Sequence, residues 1–521
     1  MNEVKKKLKD SAALRWMVLI LISGLTFGTY WFQDFYSGLK PLMESQLHFS
    51  SSDFGLLISS TTWINLIGGI IVGGIILDKW GIRITGIVFG SLATMGAITN
   101  YIGASGMISS DPDTQLSIMM AGRVMFGIGL EVACVVAMRT IVKWFKGYEL
   151  ALAMAINMGF GRLGSALGTA LSIDIAAGDV SPAIAFAGTL IAVGLLLFII
   201  YIVMFDIKLD RQLAAETVEG GADESFKFSD LIKLLKNRSF ILIALLCVAF
   251  YSAVFPFMQY APDLLINKFG FTAELPANIK MFTLFGSVKI GNVAIFIGLF
   301  IFSLSFSLIP TNIKNRNGKF LSIGIIFVLF FLFMTSIWPT FSVWLENGPK
   351  TASLIPLGTI LFTPIFGTIV DKKGKAASLM ILGALLLIFA HLALSVFDSK
   401  ILGYFGLLSL GIAFSLVPAS MWPSVAKIVA ENRLGTAFAT MFTIQNYGLA
   451  LFFWLIGKVL DMANKSNLEA IRAGEMPYDY TIPILMLVIL GVISIFLAFL
   501  LRKADKEQGY GLELPSNATS E

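Results

Sequence analysis

Long apolar runs separated by short polar intervals fill this chain almost from end to end. The runs lie at roughly 15–38, 53–77, 83–103, 116–140, 148–174 and 182–205. After a polar stretch at 206–238 they resume at 239–266, 291–311, 319–339, 349–370, 376–397, 401–424, 435–460 and 480–502. Many are about 20 residues long, the length at which an α-helix crosses the hydrocarbon of a bilayer. The pattern predicts an all-α polytopic membrane protein of fourteen spans. Within the polar stretch Phe228, Leu231 and Leu235 fall at helical spacing. Two readings follow, a short helix along the membrane surface or a flexible tether. The tail after Lys506 is expected to be disordered.

Composition narrows the class. Of 521 residues, 56% are hydrophobic and only 14% charged, against about 25% charged in a soluble domain. A large soluble protein is thereby excluded. Cys134 and Cys247 both lie inside apolar runs and read as small buried side chains, not as a disulfide or a metal site. The basic segment Met1–Asp10 precedes a run too long and too aromatic for a signal peptide, so that run is taken as the first span.

Loop charge sets an orientation. Segments on the side of the termini carry Lys5, Lys6, Lys7, Lys9, Arg15, Lys79, Arg83, Arg139, Lys143, Lys146, Lys314, Arg316, Lys319, Lys372, Lys373, Lys375, Lys427, Arg433, Arg502, Lys503 and Lys506. The opposite loops hold only Lys40, Lys268, Lys280, Lys289, Lys350, Lys400, Lys465 and Arg472. Both termini are therefore expected in the cytoplasm. The net charge of +5 arises from these loop bases and calls for no nucleic-acid partner.

An internal echo organises the chain. Gly74-Ile-Ile-Leu-Asp78-Lys79-Trp-Gly81-Ile-Arg83 closes the second run, and Gly367-Thr-Ile-Val-Asp371-Lys372-Lys-Gly374-Lys375 closes the run at 349–370. Each reads as a glycine-faced helix ending in an acid, a base and a tight glycine turn on the same side. A shared charged turn at one topological place in each half indicates duplication. The first half is then 1–205, the central cytoplasmic loop 206–238, and the second half 239–505, followed by a tail at 506–521. The runs between about 291 and 339 become an inserted hairpin, placed by its apolar pattern outside the helical core against lipid or an accessory membrane subunit. The core is six plus six helices.

The repeated glycine–acid–base turn resembles the major facilitator superfamily, as does Arg123-Val-Met-Phe-Gly127-Ile-Gly129. Further stretches are similar to the lysosomal dipeptide uniporter family (major facilitator superfamily domain-containing protein one) and its bacterial relatives. They are Trp144-Phe-Lys146-Gly147-Tyr-Glu149-Leu-Ala151-Leu-Ala153, Arg162-Leu-Gly164-Ser165, Trp422-Pro423-Ser424-Val-Ala426, Leu434-Gly435-Thr-Ala437 and Ile444-Gln445-Asn446. The chain departs where Lys375 comes one place early, where Tyr36 stands in place of a proline, and in the hairpin. The resemblance implies the major facilitator fold and alternating access by a uniporter or another secondary active transporter. No acidic dileucine sorting signal is found near the N-terminus, so a plasma or inner membrane is expected rather than a lysosome.

Candidate chemistry follows from cost. Charge inside a span is expensive, so each ionisable residue there is a functional hypothesis. Glu131 and Arg162 sit near the middle of the fourth and fifth spans, which run antiparallel, so their side chains can face each other. They are either substrate ligands or a structural ion pair. The resemblance implies that an acid and an arginine at these places hold the amino and carboxyl ends of a dipeptide. Asp34 is a candidate substrate or gate contact, or is merely solvated at an outer vestibule. Arg123 is expected to order a helix interface and His391 to be packed. Tyr251, Gln259, Tyr260, Gln445, Asn446 and Tyr447 are candidate neutral cavity groups. Trp422 is placed to stack on a side chain or to brace the breaks at Pro418 and Pro423.

In the first turn, Gly74 allows close helix approach, Asp78 can accept hydrogen bonds from a neighbouring helix N-terminus, and Lys79 and Arg83 sit at headgroup level. The resemblance implies a latch that breaks as the halves rock. The alternative is a turn that only sets topology. No phosphate-cradling glycine loop, His/Cys cluster or nucleophile–base motif is present, so no cofactor, metal or enzymatic activity is expected. Three functions remain open: a carrier of short peptides or other zwitterions, a proton-coupled symporter of an organic anion, and a non-transporting receptor or scaffold.

Overall fold

A computed structural model describes residues 8–146, 148–214, 228–276, 281–429 and 434–515. The first half is built from α1 (Ala12–Asp34), α2 (Lys40–Gln46), α3 (Ser51–Ser60), α4 (Trp63–Leu66), α5 (Gly69–Ala104), α6 (Pro112–Phe145), α7 (Leu150–Ala176) and α8 (Val180–Tyr201). Then come α9 (Ile207–Ala214) and α10 (Phe228–Lys236). The second half contains α11 (Arg238–Phe269), α12 (Val288–Asn312), α13 (Arg316–Trp344), α14 (Gly348–Lys373), α15 (Ala376–Ser395), α16 (Lys400–Ile428), α17 (Leu434–Ala463), α18 (Leu468–Arg472) and α19 (Thr481–Gln508).

Twelve described helical segments are long and apolar enough to cross a membrane. The remaining stretches read as spans are accounted for differently. The run at 53–77 is broken into α3, α4 and the first leg of α5, with Gly68 left-handed at φ 87° between them. That leg joins the next run through Gly81, whose φ of 72° and ψ of 176° turn the chain sharply within α5. Only glycine adopts such a conformation cheaply. The run at 148–174 is the 27-residue α7, which packs against α1 and α14. Polar residues at the starts explain several boundaries. Asn237 accepts from the Phe240 amide and Asn347 from the Lys350 amide, satisfying donors that a helix start leaves orphaned.

The inserted runs form the α12–α13 hairpin. Phe320, Leu321, Phe327, Val328, Phe331 and Leu332 on α13 are exposed, a lipid-facing surface in a span. The hairpin is peripheral, as its apolar pattern suggests, yet α12 touches both halves. It packs on α14, and the Phe300 ring lies tilted against Phe160 of α7 at 5.6 Å.

One alternative is decided and one expectation changes. Part of the polar stretch is helical, as α10, with Leu234 buried and Ile232 and Leu235 exposed; residues 215–227 lie outside the described set. The tail is folded through Pro515 rather than disordered after Lys506. Leu512 is fully buried, its amide bonds Asp505, and the Glu513 carboxylate accepts from the amide and hydroxyl of Ser378 at 2.9 and 2.7 Å. Backbone oxygens of Leu512 and Glu513 accept from Ala376 and Lys375. The tail thus caps the start of α15, which the apolar pattern could not reveal because the capping atoms lie about 135 residues away in sequence.

Candidate functional site

The fourth and fifth spans, α6 and α7, carry Glu131 and Arg162 near the middle of their lengths, both half-buried. They do not form a salt bridge with each other, and among the described residues neither has an ion-pair partner within 4.0 Å. Instead the Arg162 guanidinium lies 4.6 Å above the Phe414 ring of α16, in the other half. The ion pair offered as the alternative reading is not formed in this arrangement. Tyr30 of α1, which sequence reasoning missed, stands within electrostatic reach of Glu131, Arg162, Asp34 and Cys134. Its ring packs against Gly161, beside Arg162. A lone neutral tyrosine in an apolar run gives no sequence signal.

The second half meets this charged face with rings. Tyr251 stacks on Phe255 at 5.3 Å, and Phe255 meets Phe414 edge-on at 5.3 Å. Trp422 Nε1 donates to the Tyr251 hydroxyl at 3.1 Å and its ring stacks on Phe442 at 4.9 Å. Trp422 thus stacks on neighbouring rings, while α16 runs through Pro418 and Pro423 without ending. Gln445 accepts from Cys247 Sγ at 3.3 Å. Asn446 is turned to its own helix, donating to the Phe442 carbonyl. Tyr447 and Tyr260 bond carbonyls of Leu66 and Phe453; they join helices rather than the centre. His391 is fully buried, with Nδ1 2.9 Å from the Leu387 carbonyl.

Asp34 is a contact between halves: Gln259 Nε2 of α11 donates to its Oδ1 at 2.8 Å. Arg123 is buried, donates to the Phe32 carbonyl at 3.1 Å and lies 4.9 Å over the Tyr36 ring. It braces α1 against α6, as expected of an interface residue.

Beyond Asp34 lies a clasp on the face away from the termini. Lys40, fully buried, sits 2.7 Å from Asp263 and 2.8 Å from Glu44. Tyr480 and Asn267 also donate to the Asp263 carboxylate. Lys350, equally buried, pairs with Asp174 at 2.8 Å. Asp461 of α17 accepts from the amides of Ser51 and Ser52 at 3.2 and 2.7 Å, at the start of α3. Glycine permits this approach, since a Cβ on Gly457 would collide with the Ser51 carbonyl oxygen. Between described residues, the hydrogen bonds and ion pairs joining the halves lie here or at mid-depth. Lys40 and Lys350 had read as loop bases. The overlooked signal was Asp263 and Asp174, acids inside apolar runs.

The first gate turn differs in detail from expectation. Asp78 pairs with Arg139 rather than with a helix N-terminus; that role falls to Asp461. Arg83 donates to Asp206 at 2.6 Å, and Lys143 reaches Asp206 and Asp210 at 2.6 Å. Lys79 and Gly81 are exposed. A Cβ on Gly74 or Gly367 would meet no atom within 4 Å. Close approach to α6 occurs instead at Gly73, against Val132. In the second turn Gly374 and Lys375 are both left-handed in φ, at 68° and 61°, and meet the tail. Asp371 lies within electrostatic reach of Lys427.

Residues 20–349 match the family profile described as Major Facilitator Superfamily. The lysosomal dipeptide transporter MFSD1 of Danio rerio is 26% identical over 467 residues, covering 87% of this chain and 82% of that protein. Its Homo sapiens counterpart is 25% identical over 470 residues, with 88% and 82% covered. Among solved structures, the nucleoside transporter NupG aligns at TM-score 0.57 and 14% identity, over 94% of this chain and 99% of that one. The partially occluded inward-open xylose transporter XylE from E. coli aligns at TM-score 0.58 and 13% identity, with 94% and 98% covered. These structures share the fold alone. The chain is a multi-pass membrane transporter, not an enzyme, and it belongs to the Major Facilitator Superfamily.

Proposed function

We propose that this transporter carries dipeptides or similarly short zwitterionic peptides by alternating access. Glu131 takes the substrate ammonium and Arg162 its carboxylate. The observation that carries the reading is the pair itself: an acid and a base half-buried near the middle of their spans, with no salt bridge between them. A zwitterion entering a low-dielectric cavity needs both charges compensated, since an unpaired ion there costs several kcal/mol. The 25–26% identity to proteins named dipeptide transporters supports the same substrate class. Asp34 and Gln259 close the site towards the far face, Tyr251, Trp422 and Gln445 complete its second-half wall, and Asn446 would join them only by turning from the Phe442 carbonyl.

The clasp of Lys40, Lys350 and Asp461 holds the far-face-closed state. The turns around Asp78 and Asp371 act in the opposite state, in which Gly74 and Gly367 become packing surfaces. Loop charge supports cytoplasmic termini, and the lack of an acidic dileucine signal near the N-terminus supports a plasma or inner membrane, although the relatives are named lysosomal. Uptake into proteoliposomes tests the reading. Free dipeptide should accumulate, whereas amino-blocked and carboxyl-amidated forms should compete poorly. Glu131→Gln and Arg162→Ala should each remove most transport in inserted, folded protein. Recovery of transport with unchanged selectivity in a charge-swapped Glu131→Arg, Arg162→Glu double mutant would show a structural pair and refute the assignment.

A further inference from the structure

We infer that the site reads the order of residues in a dipeptide, preferring a large apolar or aromatic side chain at the carboxyl end. This rests on the proposed roles of Glu131 and Arg162 and goes beyond them to side-chain selectivity. The geometry is asymmetric. Arg162 lies 4.6 Å over Phe414, whose ring meets Phe255 at 5.3 Å; Phe255 in turn stacks on Tyr251 at 5.3 Å. Tyr251 accepts from Trp422. Phe255 and Trp422 are half-buried, so each leaves ring surface uncovered by protein.

A carboxylate seated on Arg162 fixes the adjoining Cα, and the Cβ of that residue is only two bonds from the carboxylate carbon. The carboxyl-end side chain is therefore delivered to the ring shelf of the second half. The amino-end side chain branches next to the ammonium at Glu131, where Tyr30 and Cys134 are the groups in electrostatic reach. Rings prefer edge or offset contacts with other rings, and burial of a large apolar side chain adds to this. The shelf therefore favours Phe, Tyr, Leu or Met at the carboxyl position. Because it stands on α11 and α16 while both charge ligands stand on α6 and α7, a bulky carboxyl-end residue also ties the two halves through the substrate.

Sequence isomers isolate the effect, because Gly-Phe and Phe-Gly have the same composition and the same terminal charges. Competition against a labelled dipeptide in purified, reconstituted protein should rank Gly-Phe at least about tenfold tighter than Phe-Gly, with Gly-Leu above Leu-Gly in the same sense. Phe255→Ala, which leaves Arg162 and Phe414 in place, should bring the isomer ratio towards one and weaken Gly-Phe more than Gly-Gly. Phe255→Leu keeps an apolar filler and serves if the alanine form folds poorly; it should lower the Phe preference more than the Leu preference. Equal binding of the isomers, a preference for Phe-Gly, or an unchanged ratio in a folded Phe255 variant overturns the order-reading site alone. Failure of Gly-Gly and both isomers to bind overturns the dipeptide reading and this inference with it.

Discussion

Replacing Lys40 by methionine removes an ammonium that is fully buried between Asp263 and Glu44, on the face away from the termini. Deleting one partner of a buried pair typically costs about 3–5 kcal/mol, because the other charge stays buried and uncompensated. Asp263 keeps hydrogen bonds from Tyr480 and Asn267, so the lower end applies, about 3 kcal/mol. In the far-face-open state both acids meet water and the penalty disappears. The equilibrium should therefore shift towards that state by about a hundredfold, at about 1.4 kcal/mol per factor of ten. Asp263→Asn should act more weakly, because Lys40 retains Glu44 at 2.8 Å. The assay is labelling of Ser37→Cys by a membrane-impermeant maleimide from the far side, with Cys134 and Cys247 replaced. Ser37 is buried just inside the clasp, 1% exposed. Labelling should rise steeply in Lys40→Met and modestly in Asp263→Asn. Equal labelling of Lys40→Met and its parent, in protein that remains folded, would refute the clasp.

The same probe serves two further perturbations. Burial pushes the Glu44 carboxyl above the usual carboxylate range, with Lys40 opposing; the closed clasp thus binds a proton more tightly than the open, solvated one. Closure should strengthen as pH falls from above the raised value to the ordinary one near about 4.3, with labelling falling in step, and Glu44→Gln should flatten the profile. An unchanged profile in Glu44→Gln would assign the pH effect elsewhere. Gly74→Leu meets no atom within 4 Å here, so it should leave this state intact and oppose closure at the terminal face. Uptake and far-side labelling should both fall, the opposite labelling response to Lys40→Met; normal turnover would show that Gly74 never becomes a packing surface. Glu513→Ala loses the cap on Ser378 and should cost roughly 0.5–2 kcal/mol, as helix caps do, read as a lower melting temperature; no change would make the tail contact dispensable.

The spans were legible because hydrophobicity is local: each apolar run states its own need to leave water. Glu131 and Arg162 were legible for the same reason, being charges in places where charge is costly. The inter-half clasp was not. Lys40 meets Asp263 across 223 residues and Ser51 meets Asp461 across 410, and no property of Lys40 alone separates it from an exposed loop lysine. The gate turns show where analogy misleads. Their shared sequence pattern suggested one device used twice. The first turn is held by side chains of its own half and of the residue that follows it, through Arg83, Arg139, Lys143 and Asp206, whereas the second is held by the backbone and Glu513 of the tail.

That difference follows from the one-residue shift at Lys375. In the first turn, two residues after Gly81, Arg83 is already on the descending helix and can reach Asp206. In the second, Lys375 directly follows Gly374 and takes a left-handed backbone as the residue before α15. The donors at the start of α15 then need acceptors from elsewhere, because buried backbone groups are rarely left unpaired. The tail supplies them through Leu512 and Glu513. A Cβ on Gly374 would collide with the Leu514 carbonyl carbon, so glycine at 374 is required both by its φ and by the tail above it. The same idea, an acid at a helix N-terminus, was sound for this chain. It operates at Asp461 on α3, whose Ser50 cap leaves the Ser51 and Ser52 amides to be met, and at Glu513 on α15, whose start has no side-chain cap of its own. It does not operate at Asp78, which instead pairs with Arg139 at the exposed end of its helix.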